Sequence, residues 1–241
     1  MTCTEENFIF KSGFQRYAAE HNVCVVGPDT SPRNVNIEGV DEYFNLGYGA
    51  GFYVDACTPK WEKHFRMYSY VTSELIQVVE SNFDFIKPNT RSIFGHSMGG
   101  HGALICSLKN PGLYRCVSAF APLVNPINSN FSQLPYTEYL GPYKETWKEW
   151  DATYLVQNYS GPDLHLLIDQ VRRSASFSVS LSLSFFNVTK DLSFNFDHSD
   201  HKKIFVEITW FSFFLKSELV TNCKPEKKSQ IRLKVRKVRG L

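Results

Sequence analysis

The run RSIFGHSMGGHGALICSLKNP at residues 91–111 holds the residues in this chain best suited to chemistry. Within it Gly95-His96-Ser97-Met98-Gly99 fits G-x-S-x-G, the spacing that presents a serine hydroxyl on a sharp turn between a strand and a helix. A chance match in a chain of 241 residues is expected roughly 0.1 times, so the surroundings have to decide. Ser92-Ile93-Phe94 reads as the end of a short buried strand. Ala103-Leu104-Ile105-Cys106 with Leu108 reads as a helix stopped by Pro111-Gly112. Glycines beside the serine relieve a turn in which Cβ atoms would collide. The helix start offers backbone N–H groups and the positive end of a dipole where an oxyanion would develop. The chemistry would be attack of the Ser97 hydroxyl on an acyl carbonyl. The structural alternative is a glycine-rich turn with an incidental serine.

The elements around this turn alternate. NVCVVGPDT reads as a buried strand running into a Pro-Asp turn, and YSYVTSELIQVVESNF as an amphipathic helix. RSIFG, RCVSAFAP and DLHLLIDQ read as further strands, with EWDATYLVQNY as a helix before the last. Strands separated by helices imply α/β architecture, a mostly parallel sheet with helices on both faces. Its chemistry would sit at the carboxyl ends of the strands, where Ser97 falls. After Gln170 the rhythm stops: SASFSVSLSLSFF alternates serine with apolar residues, and KKIFVEITWFSFFLKS is aromatic-rich and β-prone without an evident partner. Residues 1–170 therefore read as one domain and residues 171–241 as a divergent Ser/Phe-rich segment, irregular in its fold.

Composition narrows the class. Apolar residues at 43% and charged residues at 21% are globular values. The start MTCTEENFIF lacks a basic-then-apolar targeting build, and ITWFSFFL is too short to span a bilayer, so a cytoplasmic chain with no membrane contact is expected. The six cysteines, Cys3, Cys24, Cys57, Cys106, Cys116 and Cys223, show no C-x-x-C spacing, which points to reduced thiols and no metal site. The three N-glycosylation sequons at Asn130, Asn158 and Asn187 would matter only in a secreted chain. The net charge of +2 hides a basic tail: residues 224–241 hold eight Lys or Arg and one Glu, hence +7, leaving −5 before them. Without interleaved aromatic residues for base stacking, that tail reads as a solvated end, with no nucleic-acid partner expected.

Several long motifs then fall into a known order. IFGHSMGGHGALICSLKNPGLY, VSAFAP, GPDTSPR, GYGAGFYVDA and RMYSYVTSEL closely resemble the S-formylglutathione hydrolase (esterase D) family of the α/β-hydrolase fold, from Thr2 to about Gln170. The resemblance implies hydrolysis of S-formylglutathione to glutathione and formate in formaldehyde detoxification, with general carboxylesterase activity on small acyl substrates. It also implies no metal or organic cofactor, a cytoplasmic location and often a homodimer. Carried over by position, Ser97 matches the nucleophile and Met98 the residue whose N–H gives one oxyanion donor. The TCTEENF run, Thr2 to Phe8, matches the end of the loop bringing the second donor, which would put Cys3 near the nucleophile; a plain buried thiol is the alternative. Gly49 to Ala56 matches a loop lining the acyl pocket.

The chain departs from that pattern at both ends. Family members carry further chain before the TCT run, including the first strands of the sheet, so those strands are expected to be missing. Beyond LIDQ the family's aspartate-bearing run is not recognisable, and the triad Asp is unknown; Asp169 precedes that position and reads as a structural acid at a strand end. Asp197-His198-Ser199 is a short echo of the family's histidine loop, making His198 the first candidate base and His201 the second. His96 and His101 belong to the elbow motif, and His21, His64 and His165 lie on unrelated elements. Two further readings stay open: a catalytically impaired esterase D-derived chain lacking the aligned Asp and His, and a related hydrolase acting on other acyl esters or sugars. Because triad losses lower turnover by on the order of 10⁴ to 10⁶, the base decides between the first of these and an active enzyme.

Overall fold

The computed structural model describes residues 3–169 and the strand Lys203–Ile208. The chain opens with two short helices, α1 (Glu5–Lys11) and α2 (Phe14–Glu20), before strand β1 (Val23–Val26). A long irregular stretch then leads to α3 (Met67–Ser69), a π-turn at Tyr70–Glu74 and α4 (Leu75–Asn82), which follow one another without a break. Strand β2 (Arg91–His96) runs into α5 (Met98–Lys109), and β3 (Cys116–Phe120) follows. Helices α6 (Asn130–Leu140), α7 (Lys144–Trp147) and α8 (Ala152–Leu155) precede β4 (His165–Asp169), and β5 (Lys203–Ile208) completes the described residues.

All four strand pairings are parallel, in the order β1-β5-β2-β3-β4. Register aligns the carboxyl ends: His96 pairs with Phe120, Phe120 with Asp169, and Gly95 with Ile208. One row at this edge therefore carries the residue before Ser97 and the acid that closes β4. Parallel strands need covering helices, and α5 shows the consequence, with every residue from Met98 to Leu108 buried against the sheet and α8. The core beyond it is aromatic. Trp61 meets Phe65 and Tyr139 edge-on at 4.8 and 5.1 Å, and Tyr136 meets Trp147 edge-on at 5.5 Å, the arrangement that ring quadrupoles favour.

Three local expectations change. NVCVV is half-buried rather than buried, because β1 lies at the edge of the described sheet and pairs only with β5. EWDATYLVQNY is not one helix: a 3-10 turn at Lys148–Trp150, the four-residue α8 and a second 3-10 turn at Val156–Asn158 share it. Asp151 is the reason for the restart, since its backbone is extended and its side chain accepts from Thr153 N–H at 2.9 Å as an N-cap. KKIFVEI, which lacked an evident partner, has two: Phe205 pairs with Val25 on one side and Ser92 on the other. The run SASFSVSLSLSFF, the candidates His198 and His201 and the basic tail at residues 224–241 lie outside the described residues.

Candidate functional site

Ser97 occupies the one-residue step between β2 and α5, with φ 56° and ψ −113°. This backbone conformation is disfavoured for any residue with a Cβ. Three hydrogen bonds hold it there. Ser97 N–H donates to the Phe120 carbonyl at 2.8 Å, and the Ser97 carbonyl accepts from His101 N–H at 3.0 Å and Leu123 N–H at 3.2 Å. The turn is thus braced by the loop after β3, where Ala121 is itself at φ 43° and donates its N–H to the Asp169 carbonyl at 2.7 Å. That loop crosses α5 so closely that a Cβ on Gly100 would lie 2.9 Å from Pro122 Cβ and 3.2 Å from the Gly95 carbonyl oxygen. A Cβ on Gly102 would lie 2.4 Å from the Tyr53 ring. Both close contacts fall at glycines that follow the G-x-S-x-G run, on the helix side of the serine. Ser97 itself is half-buried. Met98, next in the chain, begins α5, and an N–H in a helix's first turn has no acceptor within the helix.

The Gly49–Ala56 loop forms a wall beside α5. Phe52 and Tyr53 both have positive φ, 50° and 55°, and both are fully buried. Two consecutive strained residues persist only when their surroundings fix them. Phe52 meets Tyr136 edge-on at 6.0 Å, and Tyr53 backs onto Gly102. Gly49 N–H donates to Ser31 Oγ at 2.8 Å, and Gly51 N–H to the Thr30 carbonyl at 3.1 Å. Beneath them Tyr139 Oη accepts from Gly47 N–H and donates to the Ala50 carbonyl at 2.8 and 3.0 Å. At the far end Asp55 accepts from Ser69 N–H at 3.0 Å and from the Ser69 hydroxyl.

Within the TCTEENF run, residues Cys3 to Phe8 reach the same edge of the sheet. Phe8 on α1 contacts Phe94 at 5.8 Å, three residues before Ser97 on β2. The Cys3 carbonyl accepts from the Thr30 hydroxyl and from Arg33 Nη2, on the loop that leaves the carboxyl end of β1. Because β1, β5 and β2 are parallel, that loop and Ser97 share an edge. Cys3 Sγ is half-buried and accepts from Asn7 Nδ2.

The histidines separate clearly. His101 lies one turn along α5, fully buried, its Nε2 3.2 Å from Tyr136 Oη, which in turn donates to the Trp150 carbonyl at 2.8 Å. Burial lowers its pKa to about 4, against the opposing pull of the Phe52 and Leu123 carbonyls, so it is neutral and belongs to the packing behind the turn. His165 opens β4, at the opposite end of the strand from Asp169 and hence at the opposite edge from Ser97. His64 lies in the turn beside Trp61, and His21 caps α2. Asp169 is buried at the carboxyl edge, in the row of His96 and Phe120. Asp151 is fully buried, and desolvation pushes its pKa up to about 6 despite donors from Thr153 and Ile127. Among the described residues no group of His, Cys, Asp or Glu is placed to hold a metal ion, and no helix is long and apolar enough to cross a membrane.

The strand-turn-helix at Ser97 was legible in the sequence, and its bracing was not. The paired strain at Phe52 and Tyr53, the Thr30–Arg33 contacts and the His101–Tyr136–Trp150 chain join residues tens of positions apart. The GPDTSPR motif was the one available signal for the second of these.

A strained serine between a parallel strand and a buried helix is the arrangement of the α/β-hydrolases. Residues 1–203 match the family model described as "Putative esterase", and the chain belongs to that esterase family. It is 56% identical over 170 residues to an S-formylglutathione hydrolase of Bos taurus and 50% identical to one of Arabidopsis thaliana, in each case over 70% of this chain and 60% of the relative. The chain thus spans 60% of the length of these curated relatives. Its fold is similar to that of an S-formylglutathione hydrolase from Agrobacterium tumefaciens, with a TM-score of 0.71 and 36% identity, covering 88% of this chain and 73% of that one.

Proposed function

We propose that this chain is a serine thioesterase and carboxylesterase that hydrolyses S-formylglutathione to glutathione and formate, with Ser97 as nucleophile. The observation that carries the reading is the backbone at Ser97, φ 56° and ψ −113°, held by three hydrogen bonds at the carboxyl edge of a parallel sheet. Strain so thoroughly braced fits a hydroxyl that must project from the turn. In the proposed reaction Ser97 Oγ adds to the formyl carbonyl as a base takes its proton, and the Met98 N–H holds the oxyanion. The same proton passes to the departing glutathione sulfur, leaving a formyl ester on Ser97. Water then adds to that ester, giving a proton to the base, and collapse returns the proton to Ser97 and releases formate. His198, outside the described residues, is the proposed base; the acid partner is unassigned.

The Gly49–Ala56 loop, which the family resemblance makes a lining of the acyl pocket, is anchored by the fully buried Phe52 and Tyr53, and so rigid a lining fits a small acyl group. The reading further implies a small-molecule substrate, no organic cofactor or metal, a cytoplasmic location and a homodimer. Rapid mixing of the full chain with a p-nitrophenyl ester of a short acid tests it. A burst of p-nitrophenol accompanied by acyl mass on the peptide containing Ser97 is expected. Absence of that adduct, with hydrolysis no faster than in buffer, overturns the reading.

A further inference from the structure

The clearest unassigned device in the described residues is a clamp that joins three segments at the carboxyl edge of the sheet. Arg33 forms a fork on Asp29, with Nε 2.9 Å from Oδ2 and Nη2 2.9 Å from Oδ1. The same Nη2 reaches the Cys3 carbonyl at 3.1 Å, and the Thr30 hydroxyl donates to that carbonyl as well. Asp29 in turn accepts from Thr30 N–H at 2.6 Å, so carboxylate, guanidinium and hydroxyl form a closed set around one peptide oxygen. Two donors on a single carbonyl fix the plane of its peptide group, because that group is rigid. On its other side the bracket meets the start of the Gly49–Ala56 loop: the Thr30 carbonyl accepts from Gly51 N–H at 3.1 Å, Ser31 Oγ from Gly49 N–H at 2.8 Å, and the Arg33 guanidinium lies 5.6 Å from the Tyr48 ring. A Cβ on Gly51 would lie 2.9 Å from the Thr30 oxygen, so the two loops are in tight apposition.

An exposed ion pair of this kind adds little to stability. Here Asp29 and Arg33 are only 28% exposed, and the pair is spent on orienting Thr30, whose side chain is fully buried, and Cys3. We propose that Arg33 and Thr30 are positioning residues for the reaction at Ser97: together they hold the segment before α1 in register with the Gly49–Ala56 wall. The inference rests on the esterase reading for its kinetic consequence. Neither residue touches the reacting atoms. Their part is to keep the two sides of the acyl site at one spacing, which matters because a displacement of about 1 Å can lower a rate on the order of 10²-fold.

The test uses the full chain with Thr30→Val, which keeps the shape and removes the donor, Thr30→Ser, which keeps the donor, and Arg33→Met. Two quantities are read: acylation of Ser97 by a p-nitrophenyl ester, and the rate at which iodoacetamide alkylates Cys3, resolved by peptide mass. Thr30→Val and Arg33→Met are expected to slow acylation on the order of 10- to 100-fold, chiefly in kcat, while Thr30→Ser stays near the parent. Cys3 should be alkylated faster in both impaired variants. Acylation by Thr30→Val at the parent rate, or equal impairment by Thr30→Ser, overturns the proposal. If the parent itself acylates no faster than Ser97→Ala, the esterase reading has failed, and unchanged Cys3 reactivity in Thr30→Val and Arg33→Met then overturns the clamp on its own terms.

Discussion

Replacing Ser97 separates strain from chemistry, because alanine and glycine remove the same hydroxyl and differ only at Cβ. At φ 56° and ψ −113° a Cβ is crowded, a conformation that costs about 1 to 3 kcal/mol for a non-glycine residue. Ser97→Ala keeps that crowding and Ser97→Gly relieves it. Glycine gives back part of the gain through the larger entropy of its unfolded chain, about 0.4 to 1 kcal/mol. The difference leaves Ser97→Gly more stable than Ser97→Ala by about 1 kcal/mol. In a chain of 241 residues that corresponds to a rise of about 2 to 4 °C in Tm. Urea unfolding followed by tryptophan fluorescence measures it, with Trp61, Trp147 and Trp150 all buried in the folded protein. A higher midpoint at unchanged slope is expected for the glycine variant. A glycine variant no more stable than the alanine one would refute the reasoning, since the turn would then hold no strain for the reaction to exploit.

Other perturbations probe the frame around the turn. Gly102→Ala should destabilise by about 1 to 3 kcal/mol, because its Cβ meets Tyr53 2.4 Å away; a stability gain of the kind an open helical site shows would contradict the packing. Acidification from pH 7 to 4 loses stability through His101, whose unfolded form takes up a proton first, and gains stability through Asp151, whose folded form does. Asp151→Asn removes only the gain, so its stability should fall by about 2 to 3 kcal/mol more than the parent's over that range, and parallel pH curves would refute the assignment. Val206→Pro removes ladder bonds from a strand with neighbours on both sides and should destabilise by at least about 1 to 3 kcal/mol in urea; an unchanged midpoint would displace β5 from the sheet.

What the sequence disclosed follows the range of the forces involved. The strand, turn and helix around Ser97 depend on residues within a few positions of one another, and RSIFG, RCVSAF and HLLID are strands where their apolar runs place them. The break in EWDATYLVQNY was local too, but Asp151 reads equally as a helix residue and as a cap until Ile127 is seen to donate to it. Position within the sheet is a different matter. Nothing in KKIFVEI states that it enters between β1 and β2, since parallel pairing joins segments far apart in sequence and leaves no periodic mark. The same holds for the bracing of the site, where Phe52, Tyr53, Thr30 and Arg33 act through contacts across loops.

The most direct test of the account is the rate of S-formylglutathione hydrolysis by the purified 241-residue chain beside its Ser97→Ala variant. The account predicts a saturable rate that the substitution lowers on the order of 10⁴-fold or more. Equal rates in the two proteins would contradict it: the turn would then be inherited geometry without turnover.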